Sequence, residues 1–138
     1  MRVSQRLDYT VRGLVALAAE PLGTTVVAGD LADTLGLPRR FLEQQFTAIA
    51  KRGILSCQRG ANGGCTLTRP ASEITVGEII RAIQGQVLDV PHVTGAVSSE
   101  MWSRIAGDLD AIVDGITLAD LVLRQAEIDR GVSPMYYI

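Results

Sequence analysis

Residues 59–64 read Arg-Gly-Ala-Asn-Gly-Gly, with Ile54-Leu55-Ser56-Cys57-Gln58 before them and Cys65-Thr66-Leu67-Thr68 after. Three glycines and an asparagine in six positions supply the positive-φ conformations of a tight hairpin, and a tip nearly bare of side chains lets its backbone approach another molecule closely. The flanks predict two short strands, Ile54–Gln58 and Cys65–Thr68. An isolated hairpin of this size is not stable, so the segments around it decide the fold.

Those segments are helical. Apolar residues Leu7, Val11, Leu14, Val15, Leu17 and Ala18 recur at three and four residues, predicting an amphipathic helix over Ser4–Ala19 that Pro21 and Gly23 stop. Thr24–Val27 predicts a short edge strand. A second helix over Gly29–Leu35, with Leu31, Ala32 and Leu35 inward, ends at Gly36, and Leu37-Pro38 restarts the chain. A third, Arg39–Arg52, buries Phe41, Leu42, Phe46, Ile49 and Ala50 and turns Arg39, Arg40, Glu43, Gln44 and Thr47 to solvent. Helix, short turn, helix and glycine-rich hairpin is the winged helix-turn-helix order. In that architecture the helix after the turn enters the major groove of DNA, and the wing touches flanking backbone or minor groove.

Beyond Pro70, Thr75 caps a helix to Gln84 with Glu78 at the capping-box spacing and Val76, Ile79, Ile80 and Ile83 inward. Gly85–Ser98 lacks a period and reads as a linker. From Ser99 a long helix carries Met101, Ile105, Leu109, Ile112, Val113 and Ile116 in one stripe; a last turn, Thr117–Arg124, and a frayed tail, Gly131–Ile138, follow. The stripe has no partner in a domain whose helices are already paired, so pairing with a second copy through Met101, Ile105, Leu109, Ile112 and Ile116 is expected. The fold class is therefore mainly α with a small β-wing. It comprises a winged helix-turn-helix domain over 1–84, a linker or sensor loop over 85–98, and a dimerisation helix with its tail over 99–138.

The 138 residues carry a net charge of −2, which masks a division along the chain. Nine basic residues against five acidic through Arg69 give +4, and four against ten from Pro70 onward give −6. A basic N-terminal half suits a polyphosphate partner. No apolar run approaches a membrane span and MRVSQRLDYT lacks a signal-type core, so a soluble, cytoplasmic protein is expected. One histidine, with no Ser/His/Asp or Cys/His grouping and no phosphate-binding glycine loop outside the wing, leaves no catalytic constellation, and an enzyme is not expected.

Leu35-Gly36-Leu37-Pro38-Arg39-Arg40-Phe41-Leu42-Glu43-Gln44, the wing Arg59–Gly64, Leu67-Thr68-Arg69-Pro70, Glu73-Ile74-Thr75-Val76, Arg81-Ala82-Ile83-Gln84-Gly85 and Thr117–Val122 resemble the Rrf2 family of bacterial transcription regulators. The resemblance runs from Arg2 to about Val122 and implies a dimeric winged-helix regulator whose long C-terminal helix crosses to its partner. Double-stranded DNA is the implied partner, read as a palindrome. By this resemblance Glu43 and Gln44 match recognition-helix residues that read base edges, and Arg59 matches the wing arginine of the minor groove. Glutamate accepts from cytosine N4, glutamine pairs with adenine, and arginine suits a narrow groove, in keeping with those roles. Gly60, Asn62 and Gly63 complete the wing contact, and Arg39 and Arg40 read as phosphate clamps. A small molecule or protein effector acting through the linker is the expected signal. A protein-interaction module that keeps the fold, with its acidic half as working surface, is the alternative reading.

The family's cluster-binding members carry three cysteines in the region matching Val87–Glu100, which here contains none, so no iron-sulfur cluster and no metal cofactor is expected. Asp8 matches the acid that completes the cluster in nitric-oxide-responsive members; a metal shared by Asp8 and His92 across a dimer is the one remaining route. Cys57 and Cys65 are equidistant from Ala61, which places them opposite each other on the hairpin at a separation a disulfide tolerates. A thiol switch on the wing is one reading. Two small buried thiols in a reducing cytoplasm is the other, and it is favoured.

Overall fold

The computed structural model describes residues 2–132. Its elements run α1 (Gln5–Ala18), α2 (Ala28–Leu35), α3 (Arg39–Lys51), β1 (Leu55–Gln58), β2 (Gly64–Leu67), α4 (Val76–Gln84), α5 (Val97–Asp114) and α6 (Leu118–Asp129), with one 3-10 turn at Ala71–Glu73. This is the mainly α fold with a small β-wing that the pattern predicts. The tail from 133 lies outside the described residues.

Ser4 caps α1 by accepting from the Leu7 N–H at 3.1 Å, and Leu7, Thr10, Leu14 and Leu17 line the face turned inward. Buried Thr10 is satisfied within the helix, its hydroxyl donating to the Arg6 carbonyl at 2.7 Å. Gly13 marks the crossing with α3: a β-carbon there would lie 2.7 Å from Leu42 Cδ1 and 3.1 Å from Phe46 Cε1. Leu42, Phe46 and Ile49 of α3 are wholly enclosed, and Gln45 joins them, accepting from Arg6 Nε at 2.6 Å. Phe41, expected inside, is half-buried with its ring edge-on to Tyr9, centroids 5.7 Å apart. The inward face is 42, 45, 46 and 49, and position 41 falls at its margin.

Gly36, at φ +70°, ends α2, and the Leu37 N–H donates back to the Ala32 carbonyl at 2.8 Å, the closure of a Schellman turn. The wing strands pair antiparallel in the register Leu55↔Leu67, Ser56↔Thr66, Cys57↔Cys65 and Gln58↔Gly64. The predicted edge strand Thr24–Val27 reduces to one bridge, Val26↔Cys65, with N–H to O distances of 2.9 and 2.7 Å. Gly64 fits beneath it at φ +140°, where a β-carbon would meet the Val26 carbonyl oxygen at 2.8 Å.

Thr75 caps α4, accepting from the Glu78 N–H at 3.1 Å, but the Glu78 carboxylate turns away from a reciprocal box and pairs with Arg69. The complete capping box is at Thr117 and Asp120. It opens a helix of 12 residues, longer than the single turn the pattern predicts. α6 returns onto α1: Leu118 is fully enclosed, and the bonds Val76 N–H to Ile116 C=O and Leu118 N–H to Ile74 C=O, both 2.8 Å, strap the start of α6 to the start of α4. The described part of 99–138 thus falls in two elements with different attachments. α5 lies along α4, clamped where Arg81 holds Asp114 through two bonds of 2.7 and 3.0 Å and Asp110 at 3.1 Å. That fork crosses Gly77, which has no side chain to obstruct it. Ile116 lies past the end of α5, so the stripe on the helix itself is Met101, Ile105, Leu109, Ile112 and Val113. No described helix is long and apolar enough to cross a membrane.

Candidate nucleic-acid interface

The Schellman turn at Gly36 and the restart at Pro38 set α3 behind α2 as a helix-turn-helix. With 42, 45, 46 and 49 inward, α3 presents Arg39, Arg40, Glu43, Gln44 and Thr47 to solvent. On this face the Thr47 hydroxyl is turned back along the helix, donating to the Glu43 carbonyl at 2.9 Å. Arg6, bonded to Gln45, ties α1 to the back of the same helix, an anchor that helix periodicity alone does not reveal.

The two arginines at the start of α3 differ. Arg39 pairs with Asp33 and lies 3.6 Å from Asp30, so its charge is drawn back onto α2; the hydrogen bond to Asp33 is the chief reason its pKa is raised. Its guanidinium and Glu43 Oε1 pass over Gly29, where a β-carbon would sit 2.8 Å from that oxygen. Arg39 therefore bridges the two helices of the turn motif through exposed pairs of modest strength. Arg40 is exposed and enters none of the described ion pairs.

The wing tip stands in solvent: Arg59, Gly60, Ala61 and Asn62 are exposed and Gly63 half-buried. Gly60 takes φ +109° and the Gly63 N–H donates to the Gly60 carbonyl at 2.9 Å, giving the tight turn the glycines predict. The expectation of two buried thiols is overturned. Cys57 and Cys65 form a disulfide, with Cα atoms 4.1 Å apart, and Cys57 is exposed while Cys65 is 6% exposed. The pairing register made them direct neighbours on the face that carries buried Leu55 and Leu67, and Cys57 is exposed because only the first residue of β1 is covered by the core.

An exposed polar helix set by a tight turn, followed by a glycine-tipped hairpin, defines a winged helix-turn-helix DNA-binding protein. The chain belongs to the Rrf2 family, described as iron-dependent transcriptional regulators, which it matches over residues 3–124. It is 30% identical over 131 residues to a Mycobacterium tuberculosis protein named for the helix-turn-helix type of transcriptional regulator, covering 88% of this chain and 81% of that one. Against the Escherichia coli HTH-type transcriptional regulator IscR it is 29% identical over 138 residues, covering 94% and 85%. Among solved structures it is similar to CymR, the global cysteine regulator of Bacillus subtilis, with TM-score 0.79, 27% identity and coverage of 90% and 98%. It is likewise similar to IscR of T. potens, with TM-score 0.77, 31% identity and coverage of 99% and 95%.

The family description raises the question of iron, and the donor set does not fit a thiolate-held cluster. Both cysteines are on the wing and bonded to each other. Val87–Glu100 offers only Asp89, His92 and Glu100, all exposed, and no three His, Cys, Asp or Glu side chains gather into a metal-holding group among the described residues. Asp8 pairs with Arg12 at 2.8 Å and belongs to no metal-holding group of three or more His, Cys, Asp or Glu side chains among the described residues.

Proposed function

We propose that the protein is a homodimeric, sequence-specific repressor that reads a palindromic operator in the cytoplasm. The observation that carries this reading is the exposed row Arg40, Glu43, Gln44 and Thr47 on α3, seated beside a glycine-tipped wing that bears Arg59. Glu43 and Gln44 read base edges in the major groove, Arg59 enters the minor groove, Gly60, Asn62 and Gly63 let the wing backbone close on the duplex, and Arg40 fixes register on phosphate. Arg39 contributes by holding the turn motif in shape as well as by its charge.

The dimer reading is supported by α5, an 18-residue helix about 27 Å long with no side chain buried. Val97, Met101 and Ile112 are 78, 46 and 58% exposed, with Ile105, Leu109 and Val113 half-buried beside them. Such a row covered by its twofold copy spaces the two α3 helices about one DNA turn apart, roughly 34 Å, which makes the operator a palindrome. The linker between α4 and α5 enters this helix directly, so a small molecule or protein effector bound there would act on the dimer. Repression needs nothing beyond occupancy of the site.

Selection from a random-sequence duplex pool, followed by fluorescence anisotropy, tests the reading. A palindromic sequence is expected to emerge, with affinity falling steeply as salt rises. Glu43→Ala is expected to relax specificity at one base position at a cost of about 1–3 kcal/mol, and Arg59→Ala to weaken binding and lessen the salt slope by about one. Recovery of no preferred sequence would refute it.

A further inference from the structure

We propose that the Cys57–Cys65 disulfide is a reversible redox switch on the wing: oxidised, it holds the wing in its DNA-binding shape, and reduction by a dithiol loosens it. The proposal rests on the DNA-binding reading above.

The sheet is built so that the two sulfurs meet in either redox state. Both the N–H and the C=O of Cys65 are spent on Val26, so Cys65 has none left for Cys57. The alternation of an antiparallel ladder then makes Cys57↔Cys65 a non-hydrogen-bonded pair, the kind that stands closest. The bond can open and re-form with no change of register.

The two sulfurs differ in access. Cys65 is buried and Cys57 exposed, so an incoming thiolate attacks Cys57 Sγ. Cys65 leaves as a thiolate and takes a proton, and a mixed disulfide forms on Cys57. The second thiol of the reductant attacks its own partner sulfur in that mixed disulfide, releasing the Cys57 thiol and leaving the reductant as a disulfide. In the reverse direction a hydroperoxide is the oxidant. The Cys57 thiolate takes its terminal oxygen to become a sulfenic acid, with an alcohol or water as leaving group, and the Cys65 thiol displaces water from that sulfenic acid to restore the bond.

Beside the disulfide, the outer wing is held by the backbone pairs Ser56↔Thr66 and Gln58↔Gly64 and by the Gly63–Gly60 turn, with little apolar burial. In β1 only Leu55 is buried, while Ser56, Cys57 and Gln58 are exposed. The ring that the disulfide closes contains Arg59, Gly60, Asn62 and Gly63, the residues assigned to the duplex. On the other side Cys65 bonds to Val26, next to Val27, the N-cap of α2, so the same strand joins wing and turn motif. A disulfide in a protein that works on DNA in a reducing compartment falls in the redox-sensing class.

The test measures affinity for a duplex enriched from a random-sequence pool, with the redox state of each sample verified by alkylation and mass spectrometry. Oxidised protein is expected to bind about tenfold more tightly than dithiothreitol-reduced protein, the cost of ordering one or two wing-tip residues on the duplex, and hydrogen peroxide is expected to restore the tighter value. The Cys57→Ser and Cys65→Ser double variant is expected to stay at the reduced value in both conditions. Cys57→Ser alone, at an exposed position, gives the same readout if the double variant fails to fold. Equal affinity of the verified oxidised and reduced forms overturns the switch and leaves the DNA-binding reading standing. Binding in neither form overturns both. Two cysteines that alkylate fully after peroxide treatment, without reductant, also overturn the switch.

Discussion

Leu118→Ala probes whether the C-terminal helix is part of the DNA-binding domain's core. Leu118 is the first residue of α6, is fully enclosed, and shares a core with Leu14 of α1 and Ile79 of α4. Truncation removes the transfer energy of its methyl groups and leaves a cavity, which in buried leucine positions costs about 2.7–5.0 kcal/mol. We take about 3 kcal/mol, at the low end, because a first helical turn relaxes more readily than a helix centre. Unfolding entropy of about 2.1 cal/mol/K per residue over 138 residues comes to about 0.3 kcal/mol/K, so the expected fall in Tm is about 10 °C. Differential scanning calorimetry at one fixed protein concentration measures it, since association also moves Tm. Gln125→Ala, exposed on the same helix, serves as control with an expected change under about 2 °C. A Leu118→Ala variant that melts within that margin of the wild type would refute the placement of α6 in the core.

Two further perturbations address the other half of the C-terminal region. Ile112→Glu puts one unpaired carboxylate from each protomer into the proposed twofold interface, and is expected to raise the dimer dissociation constant by about a hundredfold or more in sedimentation equilibrium, with operator binding lost in parallel. An unchanged dimer would remove α5 from the interface. The Arg81 fork predicts a pH effect. The hydrogen bond from Arg81 is the main cause that holds the Asp114 pKa below its ordinary value, and Arg81 itself is held above its own by Asp114 and then Asp110. A depressed carboxylate contributes fully above the unfolded aspartate range, near pH 4, and its contribution is lost as pH falls through the folded value. The urea midpoint of the wild type is therefore expected to fall more below pH 4 than that of Asp114→Asn. The effect is small because the pair is exposed, and parallel curves would show that the fork contributes nothing.

What could be read in advance followed from local rules, and what could not depended on register and return paths. Gly36 announced the end of α2, and the glycine cluster at 60–64 announced the wing, because both need backbone conformations that few residues adopt. The exposed face of α3 followed from its period. The period placed Phe41 inside and overlooked Gln45, since it carries no record that Arg6 would reach across from α1 to satisfy a buried amide. Arg39 read as a solvent-facing cation because nothing in a helix pattern shows that the preceding helix presents Asp30 and Asp33 to it.

The cysteines show the limit most sharply. Their symmetry about Ala61 placed them opposite each other, yet the favoured expectation of buried thiols came from the compartment, a property of the cell and not of the chain. Alternation puts both sulfurs on the face of Leu55 and Leu67, and their burial differs because Val26 pairs with Cys65 on the outer edge of β2, while among the described residues no strand pairs with the far edge of β1. Among the described residues the sheet is two strands and a bridge, and β1 leaves the core after Leu55, so the projection that lets the wing reach a duplex also leaves Cys57 open to the proposed exchange.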